Sequence, residues 1–315
     1  MSEADGVDVP LGSLPVRDRI GDGGQGEVFT LSDRPAVLYK SYRDPRRVDG
    51  EALAALVAVR RALDPAHRDR LDAEAAWPLC RVVDAGGTTG FLMHRAPATM
   101  TWTTGTGDTK LTELAFLLRP AKAAWQAVVQ PTPDERLALA AALVEAVLRL
   151  HTMGLVFGDL SAANVLWTVR PEPAVHLLDC DGARLVGRAP VLAQADTIDW
   201  GDPKAPPGTV TVDGDRYKVA LALARVLTRD PYAAPGAPFT PLPGVLDERR
   251  EQAVRRLLDQ AAGPYGSRPD LGQWRVALGG RQLIKLTAAT PAPRPPVDRS
   301  KFDGMRRRGT INLRD

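Results

Sequence analysis

Residues 158–164, Gly-Asp-Leu-Ser-Ala-Ala-Asn, decide the fold when they are taken together with Asp179. An apolar run ends just before this stretch, Asn164 follows Asp159 by five residues, and a second apolar run ends at Asp179. Phosphoryl transfer needs such a trio, because one carboxylate orients the attacking hydroxyl while an amide oxygen and a second carboxylate hold Mg²⁺ on the phosphates. A D-x-x-x-x-N spacing alone is common by chance, so its weight depends on a nucleotide loop elsewhere in the chain.

Residues 21–28, Gly-Asp-Gly-Gly-Gln-Gly-Glu-Val, are the candidate loop. A dinucleotide-binding fold requires a helix directly after the glycines, whereas a short β-favouring run follows here. A Walker A loop requires Lys-Ser/Thr after its last glycine, where this chain has Glu27. The third interpretation is a hairpin flap that covers ATP phosphates, followed by a strand that carries a lysine, and residues 36–40 supply that strand and Lys40. A plain flexible turn would leave Lys40 unexplained.

These motifs, in this order, resemble the eukaryotic-type (Hanks-like) protein kinases over roughly residues 15 to 280. The resemblance implies an α+β, two-lobed kinase-like fold, in which a small β-sheet lobe with one helix precedes a larger, mainly helical lobe. It also implies Mg-ATP as cofactor and a protein serine or threonine as acceptor. The site residues that it implies are Gly21, Gly23, Gly26 and Val28 in the flap, Lys40, Glu51 and Met93 in the rest of the small lobe, and Asp159, Asn164 and Asp179 in the large lobe.

Each of these residues takes its role from the resemblance. Lys40 contacts the α- and β-phosphates, Asp159 positions the acceptor hydroxyl, and Asn164 and Asp179 hold Mg²⁺. In residues 179–182, Asp-Cys-Asp-Gly, Asp181 is the alternative to Asp179, as a second metal ligand or as the true match.

Asp44-Pro45 predicts a helix start, and apolar residues at helical spacing continue to Leu63, which makes this the single helix of the small lobe. Glu51 is the only glutamate in that helix and is the candidate ion-pair partner of Lys40. The alternative is an ordinary solvent-exposed helix charge.

Residues 76–93 predict a strand pair with a glycine turn. Its A-W-P and G-F-L-M segments are similar to a bacterial kinase subgroup often found beside a phosphatase 2C-like protein and a von Willebrand A protein, which are therefore candidate partners. Residues 93–97 are the expected hinge, whose backbone meets adenine, although Met93 is equally compatible with core packing.

In the larger lobe, Thr132 to Glu135 form a predicted capping box that opens a long helix. Asp215 begins a second, nearly all-apolar helix, and the resemblance implies that this Asp binds the backbone of the catalytic loop. The resemblance also pairs Arg268 with Asp202.

The chain departs from the family at two basic positions. Gly158 stands where the arginine of H-R-D is expected, and Ser161 replaces the lysine two residues beyond the Asp. Without that arginine, a phosphate on the segment around Thr197 has no usual receptor, so we predict that its phosphorylation is not required.

Two other function classes stay open on the sequence. Small-molecule phosphotransferases of the aminoglycoside and choline type share the G-D-L…N loop and an acid-x-acid pair, but they usually lack the three-glycine flap and the Arg268 element. A pseudokinase scaffold would not need the intact Lys40, Asp159, Asn164 and Asp179.

Composition sets the remaining limits. The chain of 315 residues is 44% hydrophobic, and we divide it into a disordered leader (1–14), a small nucleotide-binding lobe (15–97), a large catalytic lobe (98–288) and a basic Pro/Arg-rich tail (289–315). Residues 291–315 hold seven Lys/Arg and three Asp, so the remainder is close to neutral and does not favour nucleic acid. With two cysteines, no signal peptide and no apolar run long enough for a bilayer, we expect a cytoplasmic protein without a membrane or zinc site.

Overall fold

A mixed six-stranded sheet is built from the first part of the chain in the computed structural model, which describes residues 8–193 and 197–279. The strand order is β1-β5-β6-β4-β3-β2, with β1 parallel to β5 and the other neighbours antiparallel. The strands are β1 Asp8–Pro10, β2 Val16–Asp22, β3 Gly26–Leu31, β4 Val37–Tyr42, β5 Cys80–Asp84 and β6 Gly87–His94. With the helices described below, the chain is an α+β protein, and all of its described residues belong to one unit, Met1–Arg281.

The predicted glycine hairpin and the lysine strand beside it are both present. Strands β2 and β3 flank the glycine loop, and Val28 of β3 pairs with Lys40 of β4. Gly26 is required by packing, because a Cβ at this position would lie 2.3 Å from the carbonyl oxygen of Ser41 on the neighbouring strand. The predicted pair β5 and β6 is also confirmed, with its turn at Gly86 and Gly87.

The prediction of a disordered leader over 1–14 is wrong for residues 8–14. Strand β1 and a 3-10 turn, Leu11–Ser13, occupy this part of the chain. Val9 is buried against the sheet, and Arg81 of β5 donates two hydrogen bonds to Asp8, at 2.6 and 2.8 Å. A three-residue strand has too short a pattern to be recognised in sequence, and its pairing with β5 is what stabilises it.

Two helices follow β4, so the prediction of one helix is also wrong. Asp44-Pro45 opens only a 3-10 turn, and helix α1 (Gly50–Ala62) begins later, where the Asp49 carboxylate accepts hydrogen bonds from the first turn. Helix α2 (Pro65–Glu74) has the Asp-Pro start that the sequence predicts for α1, with Asp64 as its cap. Arg60 of α1 and Asp72 of α2 form a two-bond ion pair at 2.5 and 2.6 Å, which joins the two helices.

The rest of the described chain is mainly helical, with two small hairpins (β7–β8 and β10–β11) and one pair of strands that are distant in sequence (β9–β12). Helix α3 begins with the predicted capping box, in which Thr132 and Glu135 each bind the other's backbone N–H. Helix α4 begins at Val212, three residues before the predicted start at Asp215, and it is buried throughout residues 219–227, as its nearly all-apolar pattern predicts. The elements are β7 Thr101–Thr103, β8 Thr109–Leu111, α3 Pro133–Thr152, β9 Leu155–Val156, β10 Val165–Thr168, β11 Ala174–Leu177, β12 Arg184–Leu185, α4 Val212–Thr228, α5 Glu248–Ala261 and α6 Leu271–Gly279.

One large core joins the sheet to the helices. It includes Phe91 of the sheet, Leu56 of α1 and Leu143 of α3, all almost fully buried. Within residues 8–193 and 197–279, no helix has the length and apolar character needed to cross a bilayer. The predicted tail, 289–315, and the end of the region 98–288 lie outside the described residues.

Candidate active site

A short hairpin brings Asn164 and Asp179 to the same end of the molecule. Strands β10 and β11 pair antiparallel with Val165 opposite Leu177, so the residues just outside the pair lie side by side. The N–H of Leu178 donates to the carbonyl oxygen of Asn164 at 2.9 Å, which continues the pairing by one step. The two predicted metal ligands therefore begin from neighbouring backbone positions.

Asp159 is held by two side chains. The Asn164 Nδ2 donates to the backbone oxygen of Asp159 at 2.8 Å and to its Oδ2 at 3.0 Å. The Thr197 hydroxyl donates to the other carboxylate oxygen, Oδ1, at 3.1 Å. Burial raises the pKa of Asp159 above its usual value, although the Thr197 hydrogen bond and the positive charge of Lys218 act in the opposite direction.

Side chains of helix α4 hold the backbone of the loop that carries Asp159. The Asp215 carboxylate accepts hydrogen bonds from the backbone N–H groups of Phe157 and Gly158, at 2.7 and 2.8 Å, as the resemblance implies. Lys218, one turn further along the same helix, donates to the carbonyl oxygen of Gly158 at 2.8 Å. Gly158 has φ of 80°, a left-handed conformation that disfavours most side chains, so glycine suits this position.

Lys40 reaches the same place from strand β4. Its Nζ lies 2.7 Å from Oδ1 of Asp181 and 3.2 Å from Oδ1 of Asp179. Burial acts to lower the pKa of Lys40, but the charges of Asp181 and Asp179 outweigh it and the pKa is raised, so the ammonium stays charged. The structure thus brings Lys40, Asp159, Asn164 and Asp179 together from separate elements.

Glu51 does not contact Lys40, and its prediction as the partner is wrong. Its side chain is 93% exposed, and its carboxylate lies 3.3 Å from the guanidinium of Arg81 on β5. The physical reason is the late start of α1, which puts Glu51 in the first turn beside the capping Asp49. The alternative interpretation, a solvent-exposed helix charge, is the correct one.

The other predicted nucleotide residues lie on the strands of the sheet or in the glycine turn between β2 and β3. Gly21 and Val28 oppose each other on β2 and β3, and the N–H of Gly23 donates to the carbonyl oxygen of Gly26 at 2.9 Å to close the turn. Met93 lies inside β6 with a buried side chain that belongs to the core. Its side chain is therefore core packing, and the chain leaves the sheet after residue 94.

Lys218 and Asp181 are the contributors that sequence reasoning missed or left open. Lys218 follows Asp215 by three residues, so the two lie on one face of α4, and this spacing is the signal that points to it. The sequence predicts Asp181 only as an alternative metal ligand. Its contact with Lys40 depends on the 3-10 turn after β11, which the sequence does not show. Burial raises the pKa of the intervening Cys180 thiol well above its usual value, which argues against a reactive cysteine.

The predicted pairing of Asp202 with Arg268 is confirmed. The guanidinium donates three hydrogen bonds to the carboxylate, at 2.7, 2.9 and 3.2 Å, and both side chains are essentially fully buried. The same guanidinium also donates to the carbonyl oxygens of Gly263 and Pro264. The pair therefore joins the segment after Thr197 to the start of the last described helix.

No protein-family model matches the chain, and no curated protein matches it. Within the two described ranges, no three His, Cys, Asp or Glu side chains are grouped so as to hold a metal ion. The candidate ligands are instead one carboxylate, Asp179, and one amide oxygen, that of Asn164.

Proposed function

We propose that this protein has a two-lobed kinase-like fold and is an ATP-dependent protein kinase of the cytoplasm, transferring the γ-phosphoryl group to a serine or threonine. The observation that carries the proposal is the convergence of Lys40, Asp159, Asn164 and Asp179. They come from β4, from the loop after β9 and from the open end of the β10–β11 hairpin. These are a phosphate-binding cation, a carboxylate that accepts from hydroxyls, and two oxygen ligands.

The ligands present fit Mg²⁺. The Nδ2 of Asn164 is engaged by Asp159, which leaves the amide oxygen available, and the Asp179 side chain is 55% exposed. Mg²⁺ prefers carboxylate and amide oxygens and keeps several waters, so a two-residue set is suitable. When bound, Mg²⁺ supplies charge neutralisation on the phosphates of ATP.

Asp159 in this proposal orients the acceptor hydroxyl. The Thr197 hydroxyl already donates to Oδ1, which supports the capacity of this carboxylate to accept from an alcohol. The contacts of Asp215 with the loop backbone hold Asp159 in place, while Lys40 and the flap N–H groups bind the phosphates. The segment joined to the last described helix by Asp202 and Arg268 favours a protein acceptor over a small molecule, since small-molecule phosphotransferases usually lack that element.

The test is transfer from radiolabelled ATP with Mg²⁺ by the purified chain. Acceptors are the chain itself, generic basic proteins, and any phosphatase 2C-like or von Willebrand A protein encoded beside it. Asp159→Asn should reduce transfer roughly a hundredfold or more while ATP binding persists, and Asp179→Asn should weaken Mg-dependent ATP binding. Asp259→Asn, an exposed position on α5, is the matched control and should behave as wild type.

Two outcomes would replace the proposal. Efficient phosphorylation of an aminoglycoside or choline, with no protein phosphorylated, would assign the chain to the small-molecule phosphotransferases. Nucleotide binding, or no binding, with no transfer to any acceptor would assign it to the pseudokinase scaffolds.

A further inference from the structure

Lys40 is a buried cation that lies beside an aromatic ring. The residue is 5% exposed, and its Nζ lies 5.6 Å from the centre of the Phe91 ring. An ammonium removed from water is strongly unfavourable unless a carboxylate compensates it. Lys40 therefore needs a carboxylate as its counter-ion, and the candidates are Glu51, Asp179 and Asp181.

Helix α1 offers no such partner. Glu51 is the only acidic residue within Gly50–Ala62, and it faces solvent and Arg81. Glu51 lies in the first turn of α1, where the Asp49 carboxylate accepts hydrogen bonds from the backbone N–H groups of Glu51 and Ala52.

The two acids of residues 179–182 differ sharply in their surroundings. The Asp181 side chain is 2% exposed and lies closer to Lys40, at 2.7 Å, whereas the Asp179 side chain is 55% exposed and lies at 3.2 Å. The backbone explains the difference, because Asp179 adopts a left-handed conformation (φ 52°, ψ 41°) and a 3-10 turn over Cys180–Gly182 follows it. That turn directs Asp181 inward and leaves Asp179 open to solvent.

We propose that Asp181 is the positioning residue that holds Lys40 for the phosphates, in the role that the resemblance implies for Glu51, and that Asp179 alone of the two is a metal ligand. This inference rests on the proposed function. The counter-ion of Lys40 and the proposed metal ligand then lie in the same short segment, residues 179–182. Displacement of α1 by a partner would consequently leave the ion pair of Lys40 intact.

The first test needs no nucleotide. The unfolding equilibrium of the full chain is measured in urea for Lys40→Met, Asp181→Asn and the double variant, with Lys40→Met combined with Glu51→Gln as the matched control. Each single variant leaves one buried charge poorly compensated, so the effects of Lys40→Met and Asp181→Asn on the unfolding equilibrium constant should not be independent. We expect the constant of the double variant to differ by about tenfold or more from the value that the product of the two single effects gives. The effects of Lys40→Met and Glu51→Gln on the unfolding equilibrium constant should multiply to within about twofold, because the two side chains are not in contact.

Each result of this cycle is decisive. If Asp181→Asn alone fails to fold while the double variant folds, the two side chains are interdependent and the inference stands. If the double variant shows the plain product of the single effects, or fails to fold as well, Asp181 does not act by compensating Lys40 and the inference is overturned. The cycle is independent of catalysis, so a chain without kinase activity would refute the proposed function and leave this result standing.

ATP binding in EDTA and in Mg²⁺ separates the two acids. Asp181→Asn should weaken ATP binding about equally in both, since it disturbs Lys40, whereas Asp179→Asn should reduce only the Mg-dependent part. Glu51→Gln should leave both unchanged. A loss confined to Mg²⁺ in Asp181→Asn would make Asp181 a metal ligand and overturn the assignment.

Discussion

Replacing Asp202 by asparagine should leave the Arg268 guanidinium buried without its counter-ion. The structure sets the size of the effect. Both side chains are 0–1% exposed and share three hydrogen bonds, so water cannot take the place of the carboxylate. Breaking such a pair costs roughly 3–5 kcal/mol. Arg268 keeps its bonds to the carbonyl oxygens of Gly263 and Pro264, and its guanidinium lies 5.3 Å from the centre of the Tyr217 ring. We therefore expect the lower end, about 3 kcal/mol.

Urea denaturation measures this loss, and a thermal scan should show a fall of about 6 °C, at roughly 2 °C for each kcal/mol in a domain of this size. Combining Asp202→Asn with Arg268→Met removes both charges and should be less harmful than the sum of the single losses. Glu251→Gln, which breaks an exposed pair with Arg255 on α5, is the control and should cost less than about 1 kcal/mol. Additive losses, or a loss below 1 kcal/mol for Asp202→Asn, would refute the reasoning.

Three further predictions concern the site and its supports. Thr197→Ala should keep near-wild-type initial rates in the ATP assay. Thr197→Glu should lose most activity, because its carboxylate would face that of Asp159. A Glu variant as active as the Ala variant would contradict this. Asp215→Asn should destabilise the fold by about 2 kcal/mol in urea, because two buried loop amides lose a charged acceptor, and unchanged stability would exclude that role. Burial acts to raise the pKa of Asp72, but its hydrogen bonds from Arg60 outweigh burial and lower the pKa to about 2. The ion pair therefore stabilises the fold fully above about pH 4, and its contribution falls progressively toward pH 2. Asp72→Asn should accordingly differ from wild type at neutral pH and converge with it in acid, and a constant difference would contradict the assignment.

Local signals in the sequence predicted several elements correctly. The capping box from Thr132 to Glu135 marked the start of α3, and the glycine hairpin followed by Lys40 marked β2 to β4. These succeeded because capping, turn formation and strand alternation depend on residues only a few positions apart. The same kind of signal was assigned to the wrong site at Asp44-Pro45, since Asp49 and Asp64 offered competing caps nearby.

The pairing of Asp202 with Arg268 was also predictable, but through resemblance and not through spacing. These residues are 66 positions apart, and no local rule joins them. The same resemblance gave Glu51 as the partner of Lys40, and there it failed. In this chain the helix starts too late, and a carboxylate from another element lies nearer to the ammonium.

The sequence by itself determined which residue types are available for phosphate, metal and hydroxyl contacts, and the short-range elements that carry them. Tertiary structure alone decided which carboxylate holds Lys40, because Asp181 is 141 positions away and reaches Lys40 from the 3-10 turn that follows β11. It also decided that residues 8–10 form a strand, since a segment this short is stable only through its neighbour in the sheet. Burial then selects the partner, as a charge enclosed by the core must be compensated by whichever carboxylate is enclosed with it.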